Sequence, residues 1–479
     1  VIHRAAAATA PGLRRPIVCV WTITFGYAVV SALLVQLVVL PHLLPGWHTG
    51  SGLLVGGDWI AFHNYAVGRA ERIRAEGWSA FELRPFQNAP IGIASAVYAL
   101  TWPEPWTLIP LNAGLHATAA ALLFRLLRGF VADWRWAALG VTPFVFYPSA
   151  LVWVSQIHKD GIFIAGYLCL FVAWAELARY DPDTRQWRGV GGILALLPVG
   201  FGMIWLVRPD LALMAHAAAG LALGILAVRT IARIARRHPR WGRGVAVLAL
   251  AAVTTLACAW LTSVPWRLER KAAARDGAPR HASVEARVPH PYLETNRPLS
   301  RGVAAIPWYH SSWLPGAVDR VAYQIALTRE TFLVNYLDSQ SHVDLDVGFY
   351  RATDVFRYLP RALQVALLAP FPTEWGQAGS SEWTTAGRRV VAVEMLGVYP
   401  ALLALLLAAW RWRGRADLWI VVLPIVAMLG VYALAVPNLG ALHRFRYGFL
   451  MTLVGLGVAG GLDLLSRRVG RPAHVSMAS

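Results

Sequence analysis

Long apolar runs, each about the length of a bilayer crossing and separated by short polar breaks, dominate this chain. Pro16 to Leu40 carries no formal charge and follows Arg14 and Arg15. It is long enough to cross ~30 Å of hydrocarbon with some tilt. The run exceeds a signal-peptide core and lacks a small-x-small cleavage site, so it is expected to be retained as the first helix. Comparable runs fall near 106–124, 136–154, 161–177, 189–207, 211–228, 244–264, 390–410, 418–437 and 447–465. The pattern predicts an all-α integral membrane protein of about ten transmembrane helices. Ile60–Gly77 mixes apolar and charged positions and reads as an amphipathic helix lying on the membrane. Val321–Leu337 and Leu359–Phe371 are apolar but broken by charge or too short to span, and read as interfacial helices; a re-entrant pair is the alternative.

Ten crossings put both termini on one side. The connections around Arg14–Arg15, Arg125–Arg135, Arg179–Arg188, Arg229–Arg243, Arg411–Arg415 and Arg467–Arg471 are strongly basic, whereas the alternate connections are nearly balanced. Basic short loops face the cytoplasm, which predicts an N-in/C-in topology. Three parts follow: an N-terminal module of seven helices, 1–264, with a first outer loop at 42–105; a large outer (periplasmic) domain, 265–388; and a C-terminal module of three helices, 389–479.

Composition narrows the chemistry. Of 479 residues 57% are hydrophobic and 15% charged, with 44 Lys+Arg against 26 Asp+Glu. A formal charge of +18 can signal a nucleic-acid partner, but in a mostly lipid-facing chain it reads as loop charge that sets orientation, and no nucleic acid is expected. Cys19, Cys169 and Cys258 lie in apolar runs without metal or disulfide spacing. The longest inner connection, Arg229 to Arg243, is too short for a nucleotide-binding domain. No G-x-x-x-x-G-K-[ST], H-E-x-x-H or Cys/His cluster occurs. Gly455, Gly457, Gly460 and Gly461 lie inside a span and suit close helix packing rather than a phosphate cradle.

The chemistry-bearing residues gather at the outer ends of helices. After the first span comes Gly56-Gly57-Asp58-Trp59, then the clusters His158-Lys159-Asp160, Arg208-Pro209-Asp210 and Asn438-Leu439-Gly440-Ala441-Leu442-His443-Arg444-Phe445-Arg446-Tyr447. Cations in tight outer turns run against the orientation rule, and an anionic ligand at the outer surface accounts for them. Lys159 is one of two lysines in the chain, with Lys271. Singly, Asp58 reads as a helix cap and the Arg residues as snorkelling side chains; the four clusters together favour function. Pro437 and Gly440 suggest a non-helical approach to Arg444 and Arg446, which would point both guanidiniums the same way. His116 and His216 read as packed within the bundle, Glu394 as an interfacial ion pair beside Arg388 and Arg389, and the outer tryptophans as interfacial anchors.

A single acid directly after helix one, an amphipathic helix behind it, many spans and a basic motif before the last helix resemble the GT-C superfamily of membrane glycosyltransferases, which use polyprenyl-phosphate-linked sugars. Asn438-x-Gly440-x-x-x-Arg444-x-Arg446-Tyr447 is similar to a pattern in bacterial surface-polysaccharide membrane proteins, and Tyr147-Pro148-Ser149 with Ser155-Gln156-Ile157-His158-Lys159-Asp160-Gly161 adds to it. The resemblance implies a transferase in the bacterial inner membrane, its active site facing the periplasm, that moves a sugar to a glycan or lipid acceptor in cell-envelope polysaccharide biosynthesis. A divalent cation, Mg or Mn, is compatible with it, although many members carry two acids where this chain has Asp58 alone. In such a reaction Asp58 would be the catalytic base, and Lys159, Arg208, Arg444 and Arg446 would bind the donor phosphate. His158, Asp160, Asp210, His443 and Arg84 would support them. The nearer alternative is a polysaccharide polymerase or ligase acting on lipid-linked oligosaccharide; the more distant is a lipid-linked glycan transporter or flippase, which would place charge at mid-span.

Overall fold

The computed structural model describes residues 11–180, 188–236, 241–275, 305–335 and 339–469. The helices are α1 Pro11–Leu34, continued by a π-helical stretch Val35–Leu43, then α2 Asp58–Glu76, α3 Ala89–Leu100, α4 Ile109–Arg128, α5 Trp134–Phe146, α6 Pro148–Ser155, α7 Asp160–Arg179, α8 Arg188–Val207, α9 Ala212–Ala235, α10 Trp241–Arg275, α11 Gly316–Asn335, α12 Ala352–Leu368, α13 Glu382–Trp412, α14 Ala416–Ala435 and α15 Leu439–Val469. Among the described residues extended pairing is limited to two isolated bridges, His48 with Leu54 and His342 with Asn438. Nine helices in that part of the chain are long and apolar enough to cross a membrane. The protein is thus an all-α protein with the helices of an integral membrane protein. α2 covers nearly all of the expected amphipathic stretch, α11 takes in the second stretch as far as Asn335, and α12 the third as far as Leu368.

The chain forms two compact units, one of 1–258 with 393–424 and 451–479, the other of 259–392 with 425–450. Each of α13, α14 and α15 contributes residues to both, so the units do not follow the sequence-order division into 1–264, 265–388 and 389–479.

The predicted third span, 136–154, is not one helix. Pro148 has no N–H to donate and disfavours helical backbone in the residue before it, and Tyr147 accordingly adopts ψ 131° between α5 and α6. The pair still traverses the first unit. At its N-terminal end α4 meets the end of α6, where the Asn112 Nδ2–H donates to Val154 O (3.2 Å) and Gln156 O (3.0 Å). At its C-terminal end Arg125 pairs with Glu176, near the end of α7 (2.7 Å). α4 and α7 therefore run parallel, and α5 with α6 must make the return. Glu394 of α13 closes the break: its carboxylate accepts the Ser149 N–H (2.8 Å) and hydroxyl (2.9 Å) at the start of α6. A carboxylate there meets the unpaired donors and positive end of the half-helix. Arg388, its expected partner, donates instead to the carbonyls of Gln377, Ala378 and Gln340.

Small residues let the helices approach. α1 packs antiparallel to α4, with Ala28 and Ala32 against Ile109 and Ala113, and the Trp21 indole N–H donating to Thr118 Oγ1 (3.2 Å). A Cβ added at Gly200 of α8 would lie 2.6 Å from Gly166 O of α7, and one at Gly140 of α5 would lie 2.8 Å from Gly455 O of α15. A Cβ at Gly457 would come closer still to Ala401 O, so this part of α15 packs by backbone contact. At the Arg-rich end of the unit, Asp417 accepts from both Arg179 and Arg415. Both guanidiniums lie 4.6 Å from the Phe130 ring centroid, and Arg415 also donates to Gly129 O (2.6 Å).

In the second unit two strips of backbone meet, with Val343 N–H donating to Pro437 O (2.9 Å) and Leu439 N–H to Ser341 O (2.8 Å). Asn438 caps α15, its Oδ1 accepting the Ala441 N–H (3.1 Å) while its Nδ2–H donates to Ser339 Oγ (2.7 Å). Arg329 is buried beside the rings of Phe349 (5.2 Å) and Tyr358 (5.3 Å) and donates to Asp344 O (2.8 Å). Burial would raise the Asp344 pKa, but hydrogen bonds from Arg361 and Tyr358 outweigh it and hold the carboxyl below its ordinary value.

Two outcomes test this arrangement. Gly376 and Gly414 both have open space around the position of a Cβ. In a background lacking the three native cysteines, Gly376→Cys should react with an impermeant thiol reagent on intact cells and Gly414→Cys should be protected. Removal of one partner from a buried ionic cluster leaves the others uncompensated, so Asp417→Asn should lower stability by about 3 kcal/mol, read as a drop in the melting temperature of the purified protein.

Candidate functional site

The turn after the π-helical stretch is tight and rich in Gly. Gly50, Gly52 and Gly56 adopt φ of 102°, 73° and 82°. Here glycine carries little steric penalty. Gly57 matters for a different reason, since a Cβ there would run into the Trp59 indole. Trp59 is 4% exposed, and its indole N–H donates back to Leu54 O. The Gly-Gly-Asp-Trp sequence thus folds the chain over an indole and delivers Asp58 as the first residue of α2, exposed, with Gly57 extended before it.

This turn is tied to the connection between α6 and α7. The Leu54 N–H donates to Gln156 Oε1 (3.1 Å), and Gln156 Nε2–H donates to Gly52 O (3.3 Å). Gln36 in the π-helical stretch donates to Ser155 O. The Trp59 ring lies 5.2 Å from the His158 ring, and Lys159 Nζ stands 5.7 Å from the centre of Phe62. Phe62 is one turn beyond Asp58 on the same face of α2. Asp58 and Lys159, a hundred residues apart in sequence, therefore belong to one neighbourhood.

Asp160, the first residue of α7 and 3% exposed, carries the rest of the cluster. Its Oδ1 accepts from Arg208 Nη2 (2.9 Å), and its Oδ2 lies 2.8 Å from His158 Nδ1. The Arg208 guanidinium also lies 5.5 Å from the Phe163 ring centroid. Arg84 reaches the end of α8, its guanidinium 4.8 Å from the Trp205 ring centre. Asp58, His158, Lys159, Asp160, Arg208 and Arg84 thus all belong to the first unit. The side chain of Asp210 lies outside the described residues.

The last basic motif differs from expectation. Asn438 starts α15 early enough that Arg444 and Arg446 both lie in the helix, where residues two apart diverge by about 200°. Arg446 is 1% exposed and donates to the carbonyls of Val365 (3.0 Å), Ala366 (2.8 Å) and Ala369 at the end of α12. Cations are favoured there because the last carbonyls of a helix lack partners. Arg446 is a structural cap of α12, and the two arginines do not form the pair that an extended approach would have made. Arg444 is half-buried, 5.2 Å from the Phe445 ring centre; His443 is half-buried beside Tyr447.

A divalent cation needs several hard donors. The second carboxylate of the first-unit cluster, Asp160, faces Arg208 and His158, and no group of three His, Cys, Asp or Glu side chains among the described residues could hold a metal ion. No family of known proteins, no curated protein and no solved structure matches this chain.

Gln156 and Trp59 position the site, and sequence reasoning passed over their roles. The signal for Gln156 was an amide within an otherwise apolar stretch at the outer end of a span; the signal for Trp59 was a tryptophan directly behind two glycines. His63, also on α2, has its Nδ1 3.0 Å from the Tyr98 hydroxyl. Burial lowers its pKa below the ordinary histidine value, with the negative charge of Glu104 opposing. The unfolded chain then takes up the proton first, so full stability is present above about pH 6.5 and is lost as the pH falls. The melting temperature should fall between pH 7 and pH 5, and His63→Gln should make that slope shallower.

Proposed function

We propose that the protein is a membrane glycosyltransferase that moves a sugar from a polyprenyl-phosphate carrier to a glycan or lipid acceptor at the outer face of the membrane. The observation that carries this reading is the position of Lys159 over Phe62, one turn along α2 from Asp58, with Arg208 on the neighbouring Asp160. A carboxylate and cations at the lipid-water boundary are what transfer from a lipid phosphate requires. Asp58 removes the proton from the acceptor hydroxyl as its oxygen bonds to the anomeric carbon. The bond from that carbon to the phosphate oxygen breaks, and the departing polyprenyl phosphate takes the electron pair. Lys159 and Arg208 stabilise the charge that develops on it. Asp160 and His158 orient Arg208, and Arg84 adds positive charge toward the same end of α8. In this reading the inner membrane of a bacterium is the site of action, with N-in/C-in topology and the cluster in the periplasm.

Purified protein in detergent, given a panel of radiolabelled polyprenyl-phosphate sugars and membrane glycolipid acceptors, should transfer label. Asp58→Asn is nearly isosteric and cannot take the proton, so it should lower turnover by about 100- to 10,000-fold with the melting temperature unchanged. Near wild-type turnover in Asp58→Asn would return Asp58 to the role of a helix cap.

A further inference from the structure

A second polar recess lies at the opposite, Arg-rich end of the first unit. The end of α7, the last turns of α9 and the start of α10 line a small cleft that opens to solvent, with Tyr180, Arg229, Thr230, Arg233 and Gly244 among its lining. Leu177, Leu226 and Val247 supply the apolar wall, and among the described residues the charged side chains that line it are Arg229 and Arg233. Arg233 is fixed across the opening, its Nη2–H donating to Tyr180 O (3.1 Å). Tyr180 is 3% exposed, and its buried hydroxyl has no hydrogen-bond partner among the described residues. A buried hydroxyl left unmatched costs free energy, which a ligand oxygen would recover.

The surroundings say what kind of ligand. Val228 and Ile231 on α9, with Val253 and Leu256 on α10, are exposed apolar side chains on the two helices that border the cleft. Two cations and a hydroxyl at the end of apolar lanes match an anionic headgroup with its acyl chains attached. Basic recesses between helices on the cytoplasmic side recognise such headgroups.

We infer that the cleft between α7, α9 and α10 is a binding site for an anionic phospholipid, with Arg229 and Arg233 on the phosphodiester and the Tyr180 hydroxyl donating to one of its oxygens. The site is independent of the proposed transferase chemistry, which lies at the other end of the unit.

Native mass spectrometry of the purified protein in detergent, titrated with phosphatidylglycerol or phosphatidylcholine, tests it. Phosphatidylglycerol should be retained in preference to phosphatidylcholine, and the double change Arg229→Gln with Arg233→Gln should weaken its binding by about tenfold or more. Arg236→Gln removes a charge from the same end of α9 outside the cleft and should change binding by less than about twofold. Tyr180→Phe, which keeps the shape of the wall, should weaken binding severalfold and serves if the arginine variant does not fold. Equal retention of phosphatidylcholine, an equal loss in Arg236→Gln, or unchanged binding in Tyr180→Phe would overturn the site. Displacement of the lipid by millimolar inorganic phosphate would overturn the lipid as its occupant.

Discussion

Backbone polar groups withdrawn from water must find partners, and in the turn after α1 two of them find the same side chain, Gln156. An amide is suited to this because it offers an acceptor and donors at once, so it can take the Leu54 N–H and give to the Gly52 carbonyl. The consequence is positional. The turn is held to the connection between α6 and α7, and with it come Trp59 against His158 and the start of α2 beside Lys159. Asp160 then fixes Arg208 from a third part of the chain. Lys159 has its place beside α2 because a neutral amide holds the backbone of the turn.

Arginine plays two opposite parts along the same unit. At the Arg-rich end, Arg179 and Arg415 share Asp417 and both lie against Phe130, so part of their charge is compensated within the protein and serves packing. Arg446 in the second unit is similar, its charge turned onto helix-end carbonyls. Lys159 in the first unit lies over the face of Phe62, an attraction compatible with a ligand anion.

The spans were legible because the length of an uncharged run is a property of the sequence itself, as in Pro16–Leu40, which lies within the first candidate crossing. The start of α2 was legible too, since Asp58 follows two glycines and precedes an amphipathic stretch. The break at Tyr147 was not recognised, because the apolar run continues through Pro148 and hydropathy does not register a missing N–H. Arg446 was misread for a different reason: the carbonyls it caps lie some eighty residues earlier and reach it only through folding. The early start of α15 depended on Asn438, whose capping role is a local signal that Pro437 and Gly440 obscured. The proximity of Asp58 to Lys159 rests on Gln156, and no periodicity carries that information.

The divided crossing formed by α5 and α6 also bears on how the protein is made. A segment entering a bilayer alone needs roughly 20 apolar residues with every backbone group satisfied internally. α5 has 13 residues and α6 has 8, and the break between them leaves donors at the start of α6 that Glu394 meets from a helix synthesised some 245 residues later. During synthesis this crossing would depend first on the adjoining hairpin partners α4 and α7. It would reach its final bonding only after α13 has emerged, so assembly of the N-terminal helices is completed by a residue near the other end of the chain.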